Sequence, residues 1–99
     1  DLAANVWETT DGGATWRNIS GNMPDAPVWM LTYDQPRNQL YAGTDFGAFF
    51  LKNGKKNWGR LGSGLPNAPV FDLKLSGDGN TIFAATFGRG IYQIPTPQG

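Results

Sequence analysis

Apolar and polar residues alternate in short runs along the whole chain, and each run is bounded by Gly, Pro, Asn, Asp or Ser. A period of two over four to eight residues predicts β-strands. No segment has a sustained helical period with caps, so we expect little or no helix. The predicted strands are residues 5–9, 15–19, 28–33, 39–44, 47–51, 57–61, 70–75, 81–86 and 90–94.

The chain repeats itself at an offset of 42 residues, which relates residues 22–28 to 64–70 and residues 40–44 to 82–86. A repeat of about 40–45 residues made of short strands is typical of four-stranded propeller blades. The offset also relates Trp16 to Trp58, and we expect both to occupy matching buried positions. The offset also makes Trp29 equivalent to Phe71 and Tyr41 equivalent to Phe83, and we expect these aromatic residues to lie in the core between blades.

A turn motif lies between the first two predicted strands, where Thr9, Asp11, Gly13, Thr15 and Trp16 are spaced over eight residues. It resembles the Asp-box, Ser/Thr-x-Asp-x-Gly-x-Thr-Trp, also called the bacterial neuraminidase repeat. We expect the Asp11 carboxylate to accept backbone N–H bonds within its own turn. The motif therefore indicates a structural clip for a hairpin rather than a catalytic or metal-binding Asp11.

A second, altered copy of the motif occupies residues 51–58. Asn53 replaces the Asp, Lys55 replaces the second Gly, and Trp58 is retained. An amide still supports the turn, so we expect the hairpin to persist. The nearby basic residues Lys52, Lys55, Lys56 and Arg60 are interpreted as a solvated hairpin tip.

The resemblance covers nearly the whole chain and implies a β-propeller, with phrases similar to those of sortilin-like and xyloglucan-hydrolase-like blades. With strands labelled A to D from the inside outwards, residues 1–27 hold strands C–D, 28–69 a complete blade, and 70–99 strands A–B–C of the closing blade. About two blades do not close a ring. We therefore expect a C-terminal part of a larger propeller, associated with its remaining blades or with other copies of itself.

Such association would also cover blade faces that the chain alone leaves open. The large apolar residues expected at those faces are Trp7, Trp16, Phe83 and Tyr92. Unpaired strand edges, including residues 90–94, are templates for pairing with another chain.

Composition removes several functions. Eight basic and eight acidic residues give no net charge, which argues against nucleic-acid binding. No apolar run approaches the ~18 residues of a membrane span. His and Cys are absent, which excludes catalytic triads, Cys–His pairs and His-ligated zinc within this chain; we expect no metal and no cofactor. Many Gly, aromatic and Asn/Asp residues with few charges are typical of secreted bacterial β-proteins, in the extracellular space or the periplasm.

The candidate ligand face lies on the loops opposite the Asp-box turn. Its loop residues are Asp25, Asp45, Phe46, Asn67, Phe87 and Arg89, and Trp29, Phe71 and Asp72 lie on the same face at the start of the predicted inner strands. Position 45 is Asp in one repeat and Phe87 in the next, and loop positions that differ between repeats are where binding is specialised. Asp45 and Asp72 are the acids best placed to face a cleft, and an exposed Phe46 or Phe87 would stack on a sugar ring.

Two hypotheses for function remain open. The first is a carbohydrate-associated propeller that binds polysaccharide or resembles a glycoside hydrolase; the second is a non-catalytic, protein-binding or assembly scaffold like sortilin. The arginine cluster and Tyr–Glu pair of sialidases are not found, so no catalytic residue is assigned in this chain. Whether the parent is an enzyme depends on a cleft with two carboxylates roughly 5–10 Å apart.

Overall fold

A computed structural model of the protein describes residues 6–23, 27–52, 54–62 and 68–97. The first sheet contains β1 (Trp7–Glu8) and β2 (Arg17–Asn18); the central sheet contains β3 (Val28–Asp34), β4 (Gln39–Thr44), β5 (Gly47–Lys52) and β6 (Gly59–Arg60); the third sheet contains β7 (Val70–Leu75), β8 (Thr81–Thr86) and β9 (Gly90–Pro95). Each strand pairs antiparallel with the next strand of its sheet. The fold is all-β with antiparallel sheets, and the described residues contain no helix, as predicted.

Within the described residues, β1 and β2 are shorter than the predicted segments 5–9 and 15–19, of which residue 5 lies outside the described residues. Thr9 and Thr15 leave the ladder because their hydroxyls bond to the Asp11 carboxylate. None of the described residues forms a helix long and apolar enough to cross a membrane.

The three sheets stack on one another through two hydrophobic clusters. The cluster between the central and third sheets includes Tyr41, Leu73, Ile82, Ala84 and Ile94. The cluster between the first and central sheets includes Val6, Met23, Phe49, Leu51 and Trp58. Since the first sheet has only two strands, it covers the β5–β6 half of the central sheet and leaves the β3 side of that face open.

The repeat is visible in the strand register. Pairs β3–β4 and β7–β8 match at an offset of 42 residues, and both carry a β-bulge after their first residue. The loop after β4 pairs Thr44 with Gly47, whereas the loop after β8 pairs Thr86 with Gly90. This one-residue insertion moves the offset to 43 for the last strand, so that Ile94 corresponds to Leu51.

The expectation that both repeat tryptophans are buried is wrong. Trp58 is 5 % exposed and Trp16 is 58 % exposed. Trp58 lies beneath the segment after β2, and its indole N–H donates to the Ile19 carbonyl at 2.8 Å. The described part of the chain has no sheet in front of the first one to cover Trp16 in the same way.

The expectation for the other aromatic pairs holds only for Tyr41, which is completely buried. Trp29, Phe71 and Phe83 are exposed. Trp29 and Phe71 are the unpaired residues of the two β-bulges, and a bulge re-aims its side chain away from the regular ladder. Phe83 lies on the face of the third sheet that no described residue covers. Of the four residues expected at open faces, Trp7, Trp16 and Phe83 are exposed and Tyr92 is half-buried.

A buried polar network joins the central and third sheets at the end where β3 turns into β4 and where β9 ends. The Tyr41 hydroxyl donates to the Asp34 carboxylate at 2.5 Å and accepts from the Gln39 amide at 3.0 Å. The same amide donates to the Pro97 carbonyl at 3.0 Å, which connects the segment after β9 to the central sheet. The Arg37 guanidinium lies 3.5 Å from Asp34. The network therefore joins two sheets through polar groups that the alternating pattern does not distinguish from surface residues.

Candidate functional site

The strand register places the loops at the two opposite ends of the strands. The start of β3, the end of β4 and the start of β5 meet at one edge, and β7, β8 and β9 repeat this arrangement. We call this the loop edge. The backbone of Gly43 lies so close to Val70 that a Cβ would come within 2.5 Å of the Val70 carbonyl oxygen, which places the loop edges of both sheets side by side. The turn edge, on the opposite side, carries the turn of residues 9–16 between β1 and β2.

The loop edge of the central sheet holds an exposed indole in a fixed orientation. The Trp29 N–H donates to the Asp45 carboxylate at 2.6 Å, while 54 % of the residue remains exposed. The bulge turns Trp29 toward the loop that carries Asp45. This contact leaves a broad aromatic surface facing solvent beside a carboxylate with further acceptor capacity.

The third sheet repeats this pair with apolar residues. Phe71 and Phe87 correspond to Trp29 and Asp45, and their ring centroids lie 4.8 Å apart with an interplanar angle of 42°. Both rings are exposed. Position 45 and its equivalent therefore make different contacts in the two repeats. Asp45 accepts a hydrogen bond from Trp29, whereas Phe87 makes a tilted aromatic contact with Phe71.

Phe46 is also exposed and has an unexpected neighbour. Its carbonyl accepts from the Arg60 guanidinium at 3.0 Å, and Arg60 lies 5.5 Å from the centroid of the Phe49 ring. The interpretation of Arg60 as part of a solvated hairpin tip is therefore wrong, because β6 carries it to the loop edge. Cross-strand pairing of Phe49 with Arg60 was the missing information.

The remaining candidate residues do not join this group. Asp72 pairs with Ala85 in the register and is half-buried on the face of the third sheet that points away from the central sheet. Arg89 is exposed in the loop before β9. Asp25, Asn67 and Asn53 lie outside the described residues. The described residues contain no group of three or more acidic, His or Cys side chains placed to hold a metal ion.

The turn of residues 9–16 is held by a closed set of hydrogen bonds. Asp11 accepts from the Thr15 hydroxyl at 2.5 Å, the Thr15 backbone N–H at 2.9 Å and the Thr9 hydroxyl at 2.8 Å. Gly13 has a φ of 98° and donates its N–H to the Thr9 hydroxyl oxygen at 3.0 Å. The Trp16 indole donates to the Gly13 carbonyl at 3.1 Å. The predicted acceptance of backbone N–H bonds by Asp11 is confirmed.

These bonds set the pH dependence of the turn. The Thr15 hydroxyl, followed by the Thr15 backbone N–H and the Thr9 hydroxyl, lowers the pKa of Asp11 from 3.8 to about 2. A depressed carboxyl pKa contributes stability above pH 3.8 that is lost as the pH falls toward 2.

We expect Asp11→Asn to lose less stability than the wild type between pH 3.8 and 2, because the variant lacks the titrating carboxyl. Urea unfolding at pH 5, 4, 3 and 2 measures it; equal pH profiles for the two proteins would contradict the assignment.

A scan against protein-family models and searches of curated proteins and of solved structures return no match, so the site is interpreted from its own geometry.

Proposed function

We propose that the chain is part of an Asp-box β-propeller whose loop edge binds carbohydrate. The stacked sheets of two, four and three antiparallel strands, related by the repeat offset, support the blade assignment C–D, A–B–C–D and A–B–C. The closed hydrogen-bond set around Asp11 supports the Asp-box assignment and gives the Asp11 carboxylate a structural role in its own turn.

The observation that carries the carbohydrate proposal is the presentation of Trp29. A β-bulge removes it from the core, Asp45 fixes its indole, and more than half of it remains exposed. Leaving such a large apolar ring in water costs free energy, which a sugar ring stacked on it recovers. Asp45 provides hydrogen-bond acceptors for hydroxyl groups at the rim of the same ring.

The proposal assigns binding and no reaction. Asp45 already accepts a hydrogen bond from Trp29, and Asp72 faces away from the central sheet, so the two acids are not offered as a catalytic pair. A carbohydrate-binding propeller of this type belongs outside the bacterial cytoplasm, in the periplasm or the extracellular space.

A scaffold function is the second candidate, because apolar residues are exposed on both outer faces of the stack. Leu31 and Tyr33 are exposed on the central sheet, and Phe83 and Ile91 on the third sheet. Contiguous exposed apolar side chains mark surfaces that bind protein. In the propeller proposal, these faces contact further blades from the same propeller or from other copies of the chain.

Calorimetric titration with neutral oligosaccharides, including xyloglucan fragments, tests the carbohydrate proposal. Loss of aromatic contact at Trp29→Ala is expected to weaken binding about fivefold, in line with the roughly 1 kcal/mol assigned to aromatic contacts beyond area burial. Trp16→Ala is the matched control, since Trp16 is similarly exposed but lies at the turn edge. Equal losses in both variants, or no saturable binding to any glycan, would overturn the proposal; sedimentation of the same samples then tests the scaffold.

A further inference from the structure

A cleft of about 350 Å³ lies between the first and central sheets, toward the turn edge. Its apolar part is formed by Ile19, Leu40 and Leu51. Its charged part is formed by Glu8, Arg17, Lys52, Lys55 and Lys56. The cleft is separate from the loop edge, so nothing inferred about it depends on the proposed sugar binding.

A comparison with the interface between the central and third sheets explains why this cleft, between the first and central sheets, is open. Phe50 and Gly59 are cross-strand partners in the central sheet, and a Cβ on Gly59 would come within 2.7 Å of the Phe50 ring. The corresponding partners in the first sheet are Glu8 and Arg17. The interface between the first and central sheets therefore has an ion pair at the position where the interface between the central and third sheets has an aromatic ring packed on a glycine. The opening follows from the side chains of β1 and β2 themselves.

The charge around the cleft is unbalanced. The Arg17 guanidinium forms an ion pair with the Glu8 carboxylate. Within the part of the chain that the structure describes, Lys52, Lys55 and Lys56 form no ion pair. Because all three lysines line the same cleft, their positive charges favour an anion bound there.

We propose that this cleft binds a small organic anion. Its acid group contacts the three lysine ammonium groups, and its apolar or ring-shaped body lies on Leu40 and Ile19. The combination favours such a ligand over a bare inorganic ion, because a bare ion would leave the apolar wall in contact with water.

NMR titration with benzoate, benzenesulfonate and phenyl phosphate tests this site and distinguishes the type of acid group. Benzyl alcohol provides the neutral body alone, and inorganic sulfate provides the charge alone. We expect the aromatic acids to bind more tightly than either control, with shifts at residues 8, 17, 52 and 54–56, and to weaken as salt is added. Tightest binding by benzyl alcohol, or shifts confined to other residues, would overturn the proposal.

Two variants separate the cleft from nonspecific charge. Lys55→Gln combined with Lys56→Gln removes two exposed cations and should weaken binding about tenfold, since charge-assisted contacts are lost. Lys74→Gln, an exposed lysine on the third sheet, should leave binding unchanged. An equal effect of Lys74→Gln would overturn the site.

The double variant Glu8→Phe with Arg17→Gly copies the partners of the other interface and fills the cleft. We expect it to lose binding of the aromatic acids while its thermal midpoint does not fall, because an apolar contact replaces an exposed ion pair. Undiminished binding by the folded double variant would overturn the proposal. Should that variant fail to fold, the lysine variants decide the outcome, because their substitutions are at exposed positions.

Discussion

Leu73→Ala is expected to destabilise the chain by about 3 kcal/mol, whereas Leu31→Ala is expected to cost less than about 1 kcal/mol. The two leucines occupy the same position in the repeat, on β7 and β3, the first strands of their sheets. Leu73 is 1 % exposed and Leu31 is 44 % exposed. The difference follows from what lies above each of them: the central sheet covers Leu73, and the two strands of the first sheet do not reach Leu31.

Urea unfolding of both variants measures this difference in the free energy of unfolding. Equal costs would show that Leu31 is covered in solution, by a second copy or by a rearranged first sheet. The same pair also tests the propeller proposal. In an assembly that supplies inner strands in front of β3, the cost of Leu31→Ala should rise toward that of Leu73→Ala.

Most of the strand pattern could be predicted from the sequence because period-two alternation and turn residues act locally. The positions of β4, β7 and β8 agree with the predicted segments, and the others differ by a few residues at their ends. The repeat added non-local information, since equivalent segments must pair in equivalent ways. The grouping into sheets of two, four and three strands followed from that periodicity.

Burial of the aromatic residues could not be predicted in the same way. An aromatic residue in a strand is compatible with the core, but a β-bulge at Trp29 and Phe71 turns both side chains toward the loops. Bulges depend on hydrogen-bond register between strands, which alternation does not encode. Trp16 and Trp58 end equivalent segments of the repeat, and their different exposure depends on which sheet lies next to each.

The candidate sites depend on register as well. The equivalent loop positions 45 and 87 were identified because the two repeats differ there, and Phe46 because it lies in the same loop as Asp45. Arg60 was misplaced because its cross-strand partner, Phe49, is known only from the structure. The cleft lined by Glu8 and Arg17 also had a sequence signal, since the repeat offset relates these residues to Phe50 and Gly59, but its meaning required knowing that Phe50 packs on Gly59.

Asp34→Ala is expected to cost about 3 kcal/mol, a large part of the roughly 5–15 kcal/mol typical of a domain. Asp34 is 1 % exposed, and its removal leaves the buried Tyr41 hydroxyl without its acceptor and Arg37 without its counter-charge. Asp34→Asn retains an acceptor oxygen and should cost less. Asp78→Ala, in an exposed turn, is the control. A cost for Asp34→Ala no larger than that of Asp78→Ala would show that the network contributes little.

The pH dependence of the same network provides an independent measurement. Burial, and then the hydrogen bond to Asp34, raises the pKa of Tyr41 above its ordinary value of 10.0. A raised pKa means that the folded state favours the neutral phenol. Its contribution to stability is complete below pH 10 and is lost as the pH rises, because the unfolded chain ionises first.

Tyr41→Phe should therefore flatten the fall in unfolding free energy between pH 9 and 11. Tyr33→Phe is the matched control, since Tyr33 is exposed on the neighbouring strand and its hydroxyl donates to the Asn38 side chain. Parallel profiles for the wild type and Tyr41→Phe would place the phenol in contact with water and would contradict the buried network.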